Sequence, residues 1–272
     1  MTGFDMHIHS TSSDGSLDVE EIIDLARAKE DLNGISITDH DTVAGLPRAS
    51  AYADTLNYPL IAGIELSAEY EYYDVHILGY WIDTEKIEAD GRLGQMWQAR
   101  EDRCRRIAHR LAALGMPVDV ENLIASVAET KRSLGRPHVA LAMVEAGYVE
   151  NIREAFGIWL GRGMPAYVPR PKLSPEEALE MIAGAGGIAA LAHPGIGLPD
   201  DLIPRLVRQG LGGLEVYHIE HNKQAEKKYI QMAQYYHLAA TGGSDFHFVG
   251  SRNIGCRHTS PEQLRLLKEK RR

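Results

Sequence analysis

Short apolar runs alternate with amphipathic stretches in the first part of the chain, a pattern that predicts βα units. Residues 4–10 read as a strand, 17–29 as a helix and 34–39 as a second strand. The helix is marked by Val19, Ile22, Ile23 and Ala26, which fall at i, i+3, i+4 and i+7 and so share one face. Two more apolar runs, 60–66 and 75–81, are bounded by turn formers and read as strands. The alternation resumes after residue 165 with a helix over 175–183, which has Pro175 in its first turn, and a strand over 187–193. A helix over 202–209, a strand over 211–217, a helix over 224–237 and a strand over 238–241 close a series of seven strands.

Residues 92–164 have a different texture, with helical stretches and no convincing strand; 96–114 is rich in Arg and Ala with apolar positions at helical spacing. The pattern predicts an α/β fold, a barrel or open sheet formed by 1–97 and 166–272, interrupted by a mostly helical insertion over 98–165. The length of 272 residues allows one large domain with such an insertion, at about 150 residues per domain. With 44% hydrophobic and 25% charged residues, the chain can bury a core without covalent staples.

A net charge of -9 argues against duplex DNA as a partner, so an anionic substrate must be held by local groups. Cys104 and Cys256 are far apart and belong to no CxxC, which excludes a disulfide framework and a thiolate zinc site and suits reduced thiols of the cytoplasm. The N-terminus shows no leader pattern, and no apolar run approaches the roughly 18 residues of a membrane span, so a cytoplasmic protein without membrane contact is expected.

The 12 histidines change the picture, because most stand beside the apolar runs. His7 and His9 lie near the end of the first strand, Asp39 and His40 end the second, Glu65 is in the third and His76 in the fourth. His193 ends the fifth, Glu215 and His218 lie at the sixth, and Asp245 and His247 follow the last. Carboxyl ends of parallel strands form the active face of barrels and open α/β sheets. Residues two apart in a strand project to one side, so His7 and His9 can offer two imidazoles to one ion, and Asp245 with His247 repeats the spacing. A set of imidazoles and carboxylates without thiolate suits Mn, Zn or Fe better than a zinc finger or a calcium cage, and a carboxylate can bridge two ions. A lone histidine is more often a satisfied ring than a ligand; a constellation at most strand ends is not.

These segments resemble the PHP (polymerase and histidinol phosphatase) family of metal-dependent phosphoesterases. The resemblance rests on His7 and His9 with Asp14 in "HIHSTSSDG", His40 in "ITDHD", Glu65 in "GIEL", His76 in "DVHILGY", His193 in "LAHPG", and Asp245 with His247 in "GSDFH". It implies a distorted seven-stranded (β/α) barrel and three divalent metal ions, with Mn2+ favoured and Zn2+ or Fe2+ as alternatives. Carried over by position, His7, His9, Glu65 and Asp245 would hold one ion, and Glu65 would bridge to a second held by His76 and His193. Asp14, His40 and His247 would hold the third. The helical insertion resembles that of a subgroup acting on nucleoside 3',5'-bisphosphates, with members that trim the 5'-ends of short RNA. A small phosphorylated nucleotide or a short RNA 5'-end is therefore the expected substrate.

The same subgroup places phosphate-binding groups in the insertion, and Arg100, Arg103, Arg136 and His138 are the candidates here, with Arg132 nearby. Arginine offers a fork that matches phosphate, and Pro137 predicts an extended Arg136. His218 is the candidate to protonate the leaving oxygen or touch the phosphate, and Asp39 is expected to orient a neighbouring ligand or cap a helix. His109, His221, His237 and His258 match no motif and read as surface residues. Two other readings stay open: a histidinol-phosphate-type phosphatase, and a non-catalytic metal-binding regulatory module. An amidohydrolase is disfavoured, because no Lys lies in the strand-end motifs.

Overall fold

The computed structural model describes residues 2–129, 134–169, 172–250 and 253–271. The chain forms two compact units, a barrel unit of Met1–Gly91 with Lys172–Arg272 and a helical unit of Arg92–Pro171. The division falls at Arg92, and not at residue 98, because one unbroken helix runs over Arg92–Ala113.

The barrel unit is built on a seven-stranded sheet in sequence order: β1 (Gly3–Ile8), β2 (Leu32–Ile37), β3 (Leu60–Tyr70), β4 (Tyr73–Tyr80), β5 (Ile188–Leu191), β6 (Gly213–Tyr217) and β7 (Ala239–Gly242). Neighbouring strands are parallel except at β3–β4 and β4–β5, so β4 alone runs against the others. Only Glu71 and Tyr72 join β3 to β4, and Glu71 adopts φ +55°. A parallel connection needs a crossover of a dozen or more residues, whereas a two-residue link makes a hairpin.

Backbone bonds bring the sheet close to a closed ring. Beyond β7, Asp245 N–H donates to the His7 carbonyl at 2.8 Å and His9 N–H donates to the Phe246 carbonyl at 2.9 Å. At the other end of β1, Phe4 and Thr259 exchange two backbone bonds at 2.9 and 2.8 Å. Met6, Leu78, Tyr80, Ile188, Ala190 and Ala239 pack as one buried cluster of this unit.

Helices α1 (Val19–Arg27), α2 (Leu46–Thr55) and α3 (Thr84–Ala89) follow the first strands. The buried face of α1 is Val19, Ile22, Ile23 and Ala26, and Asp18 with Glu21 closes a reciprocal capping box at its start. The helical unit contains α4 (Arg92–Ala113), α5 (Val120–Glu129), α6 (Arg136–Glu145) and α7 (Ile152–Ala155), the last continuing into a π-helical turn over Phe156–Leu160. It has its own core, including Ile107, Leu111, Val139 and Met143. Returning to the barrel unit, α8 (Pro175–Gly184), α9 (Leu202–Arg208), α10 (Lys223–Tyr235) and α11 (Pro261–Glu269) complete the chain.

Candidate metal centre

Strand pairing explains how distant residues meet. His7 and His9 leave the end of β1 on the same side, with ring centroids 5.1 Å apart, and both are fully buried. His76 pairs directly with Ser67, and Glu65 lies two residues before Ser67 on the same face of β3. Because β4 is antiparallel, the early position of His76 in that strand places it at the end of the sheet where the other strands finish. The chain beyond β2 bridges back to β3 at His40 and Glu65. His193 and Asp245 follow β5 and β7 with φ of +25° and +49°. Positive φ costs a non-glycine residue on the order of 1–3 kcal/mol and persists only when its surroundings fix it.

The nine residues form one network of close contacts. His7 Nε2 lies 3.1 Å from His9 Nε2, 3.3 Å from Glu65 Oε2 and 3.4 Å from Asp245 Oδ1. His9 Nε2 is 3.1 Å from the same Glu65 oxygen and 3.3 Å from the same Asp245 oxygen. The other oxygen of Glu65 is 2.9 Å from His76 Nδ1 and 3.4 Å from His193 Nε2. Asp14 Oδ1 is 3.4 Å from His247 Nε2 and 3.7 Å from His9 Nδ1, and Asp14 Oδ2 is 3.9 Å from His40 Nε2. His40 also turns Nδ1 to Glu65 Oε2 at 3.1 Å, so it faces two groups at once.

These separations fit divalent ions. Donors at about 2.0–2.1 Å from an ion stand about 3.3–3.4 Å apart in a tetrahedron and about 2.8–3.0 Å apart as adjacent corners of an octahedron. The buried atoms His9 Nδ1, His40 Nδ1 and both carboxylate oxygens of Glu65 have no hydrogen-bond partner despite these near neighbours. Burying so many unsatisfied groups is costly unless cations offset it. Three subsets in particular bring their donor atoms within 4.8 Å of one another: His7, His9 and Glu65; His40, Glu65 and His76; and His9, Asp14, His40 and His247.

Residues 5–239 match the family described as PHP domain. The chain belongs to this family. It is 33% identical over 264 residues to a 3',5'-nucleoside bisphosphate phosphatase of Chromobacterium violaceum, covering 95% of this chain and 92% of that one. It is 32% identical over 253 residues to a 5'-3' exoribonuclease of Haemophilus influenzae, covering 90% of each chain. The solved structure of a metal-dependent phosphoesterase from Bifidobacterium adolescentis superposes with a TM-score of 0.87 at 30% identity, over 99% of this chain and 96% of that one. This PHP protein is a metal-dependent phosphoesterase.

Around these nine residues stands a second set of buried groups. Asp39 accepts from Ser10 N–H at 2.7 Å, Ser10 Oγ–H at 2.6 Å and Ser13 Oγ–H at 2.6 Å, so it fixes the loop that carries Asp14 and caps no helix. Asp5 accepts from Ser244 N–H at 2.9 Å and Gly255 N–H at 2.7 Å, which anchors the segment just before Asp245. His218 is fully buried; its Nδ1 accepts Glu220 N–H at 3.2 Å, which leaves the proton on Nε2, 3.2 Å from Asp245 Oδ2. Both nitrogens therefore face protein groups. His221, expected at the surface, is 3% exposed: Nδ1–H donates to the Val216 carbonyl at 2.8 Å and Nε2 accepts Gly195 N–H at 3.0 Å. The spacing of Asp5, His7 and His9 on one strand face was the available signal for Asp5. For His221 no local pattern existed, because its partners come from Val216 and Gly195.

Electrostatics follow from this crowding. Burial opposes charge on both rings; Glu215, Glu65 and Asp245 outweigh it at His7, raising it well above the usual imidazole range, and Asp245 and Glu65 outweigh it at His9, raising it to about 10. Burial pushes His40 down to about 3 against the pull of Glu65, and it also lowers His193. Burial would raise Glu65, Asp14 and Asp245, yet the surrounding imidazoles hold all three below the ordinary carboxylate range. Without ions, the carboxylates thus favour the protonated form of the His7–His9 pair. A cation can take those lone pairs only by displacing protons, so affinity should fall as pH falls. Calorimetric titration of the metal-free chain with Mn2+ at pH 7, in two buffers of different ionisation heat, should show net proton release; none would contradict the assignment of protons to His7 and His9.

The candidate phosphate ligands lie in the helical unit. Arg103 is 9% exposed, and its Nε donates to the Val168 carbonyl at 2.8 Å, which commits it to the interior of that unit. Arg100 Nη1 donates to the Leu134 carbonyl at 3.0 Å, and His138 Nδ1 accepts Gly135 N–H at 3.2 Å. Arg136 Nη1 donates to the Leu160 carbonyl at 3.1 Å, with its guanidinium over the rings of Phe156 and Tyr167, 5.3 and 5.6 Å from their centroids. Arg136 opens α6 and is not the extended lead-in that Pro137 predicts, since proline is accommodated in a first turn, where its missing N–H costs nothing. Arg132 lies outside the described residues. Among the described residues no helix is long and apolar enough to cross a membrane.

Proposed function

We propose that the centre holds three divalent cations, Mn2+ first among them, and removes the 3'-phosphate of nucleoside 3',5'-bisphosphates, with 5'-directed trimming of short RNA as a related activity. The observation that carries this reading is Glu65, whose two oxygens face two different groups of imidazoles. His7, His9, Glu65 and Asp245 are the ligands of one position, Glu65, His76 and His193 of a second, and Asp14, His40 and His247 of a third. Bound ions of this kind supply a water of lowered pKa and offset the charge on phosphoryl oxygens. The names of the Chromobacterium and Haemophilus relatives support a phosphorylated nucleotide or RNA end as substrate.

The chain's own residues set the approach and the geometry. His7, His9 and Glu65 are buried, whereas the Asp14 side chain is 47% exposed and that of His247 23%, so substrate enters from the Asp14 side. His218 directs its Nε2–H to Asp245, and its role is to hold that carboxylate, not to donate to a leaving group. A protein of charge -9 needs local cations for a second phosphate, and we assign that task to Arg136 with Arg100 and His138 in support. Stacking and one hydrogen bond hold the Arg136 fork in a fixed plane, using one of its five N–H donors.

Arg136→Ala should lower kcat/KM for adenosine 3',5'-bisphosphate by about 1.5–3 kcal/mol, the range for a hydrogen bond to a charged group. p-Nitrophenyl phosphate has no second phosphate and should lose much less. Equal losses on both substrates would overturn the clamp, and a thermal melt would show whether the helical unit had been destabilised instead. Phosphate release from adenosine 3',5'-bisphosphate, a 5'-phosphorylated dinucleotide and histidinol phosphate, each with Mn2+, tests the substrate class; preference for histidinol phosphate would overturn it.

A further inference from the structure

We infer that Glu215 is a positioning residue that couples two of the three ion positions, one carboxylate oxygen setting the ring of His7 and the other the backbone of His193. Glu215 stands on β6 with no exposure to solvent and is outside the nine-residue ligand set. Its Oε1 lies 3.0 Å from His7 Nδ1, and its Oε2 accepts the His193 N–H at 2.8 Å. The inference rests on the three-ion reading above.

Two geometric facts give the contact its meaning. An imidazole that donates from Nδ1 to a carboxylate presents the lone pair of Nε2, and His7 Nε2 is the atom that faces His9, Glu65 and Asp245. A carboxylate on the opposite side of the ring therefore selects both its tautomer and its orientation. His193 has φ +25°, a backbone that a β-strand end would not adopt unaided. The charge-assisted bond from its N–H to Glu215 holds that turn, and with it His193 Nε2 at 3.4 Å from Glu65.

The surroundings show how local this control is. His221 fastens the next turn through Gly195 N–H, and a Cβ at Gly195 would meet the His221 ring at 2.6 Å, so the loop after β5 is pinned to the end of β6 at two points. Of these two, Glu215 alone also reaches β1. Asp39 serves the Asp14 loop, and His218 serves Asp245. No described contact joins Glu215 to Asp14, His40 or His247, so its influence should stop at the first two positions.

Glu215→Gln keeps the size of the side chain but offers one acceptor oxygen, so it can serve His7 or His193 and sets an NH2 against the other. Metal-free full-length protein is titrated with Mn2+ by calorimetry, and bound Mn2+ is counted after dialysis. The parent chain should take up about three ions, and the variant should lose about 10–100-fold in affinity at one or both of the first two positions while the third stays within about threefold. Three unchanged affinities, or an equal loss at all three in a folded variant, would overturn the coupling. A parent chain that binds one ion or fewer would overturn the three-ion reading and the inference with it. Should the variant not fold, 15N spectra of the parent decide: His7 protonated at Nδ1 is expected, and a bare Nδ1 would overturn the inference.

Discussion

Glu65→Gln should lower kcat by on the order of 1000-fold, the largest effect expected from a change of this size. The reason lies in the division of labour between its oxygens: Oε2 faces His7, His9 and His40, and Oε1 faces His76 and His193. An amide keeps one acceptor, points an NH2 toward one of the two groups and removes the negative charge from the middle of the centre. Circular dichroism should show a folded variant, because the substitution adds no volume. Steady-state turnover on adenosine 3',5'-bisphosphate with saturating Mn2+ is the measurement, and a variant keeping more than about a tenth of parental kcat would mean that Glu65 does not join two positions.

Asp14→Ala should cost about a hundredfold or more in kcat with little change in KM. Asp14 is the most exposed of the carboxylates in the network, at 47%, and its loop is held independently by Asp39 through Ser10 and Ser13. Its loss therefore removes a proposed ligand while Asp39 still holds the loop, and circular dichroism should show a folded variant. This separates it from Arg136, whose removal is expected to act through one substrate and not the other. Turnover near the parental value would take Asp14 out of the centre.

Much of the architecture was legible because the barrel strands are short, apolar and separated by amphipathic helices. The strand over residues 60–66 continues to Tyr70, since Ala68 and Leu66 are buried and Tyr70 is paired with Tyr73 across the hairpin. The direction of β4 was not read, although the two-residue separation of β3 and β4 could have shown it. Helix α2 went unrecognised because its buried face is Leu46, Ala49 and Ala53, and alanines add little contrast to a hydrophobic period. The nine ligand candidates were legible as strand-end acids and imidazoles, and the structure draws them into contacts of 4 Å or less. The supporting shell was harder, because a charge inside an apolar strand, such as Glu215 in "GLEVY", announces that it has a partner but not which one. Its partners, His7 and the His193 backbone, are 208 and 22 residues away. The arginines of the insertion were read by type alone; burial and the carbonyl of Val168 then set Arg103 apart from the others.

The most direct test of the account is the number of divalent ions per chain. Protein produced with Mn2+ and freed of loosely held metal by gel filtration is analysed for its elements, and the account predicts about three ions, in any case more than two, with phosphate release proportional to their number. One ion or fewer in a fully active enzyme would contradict it.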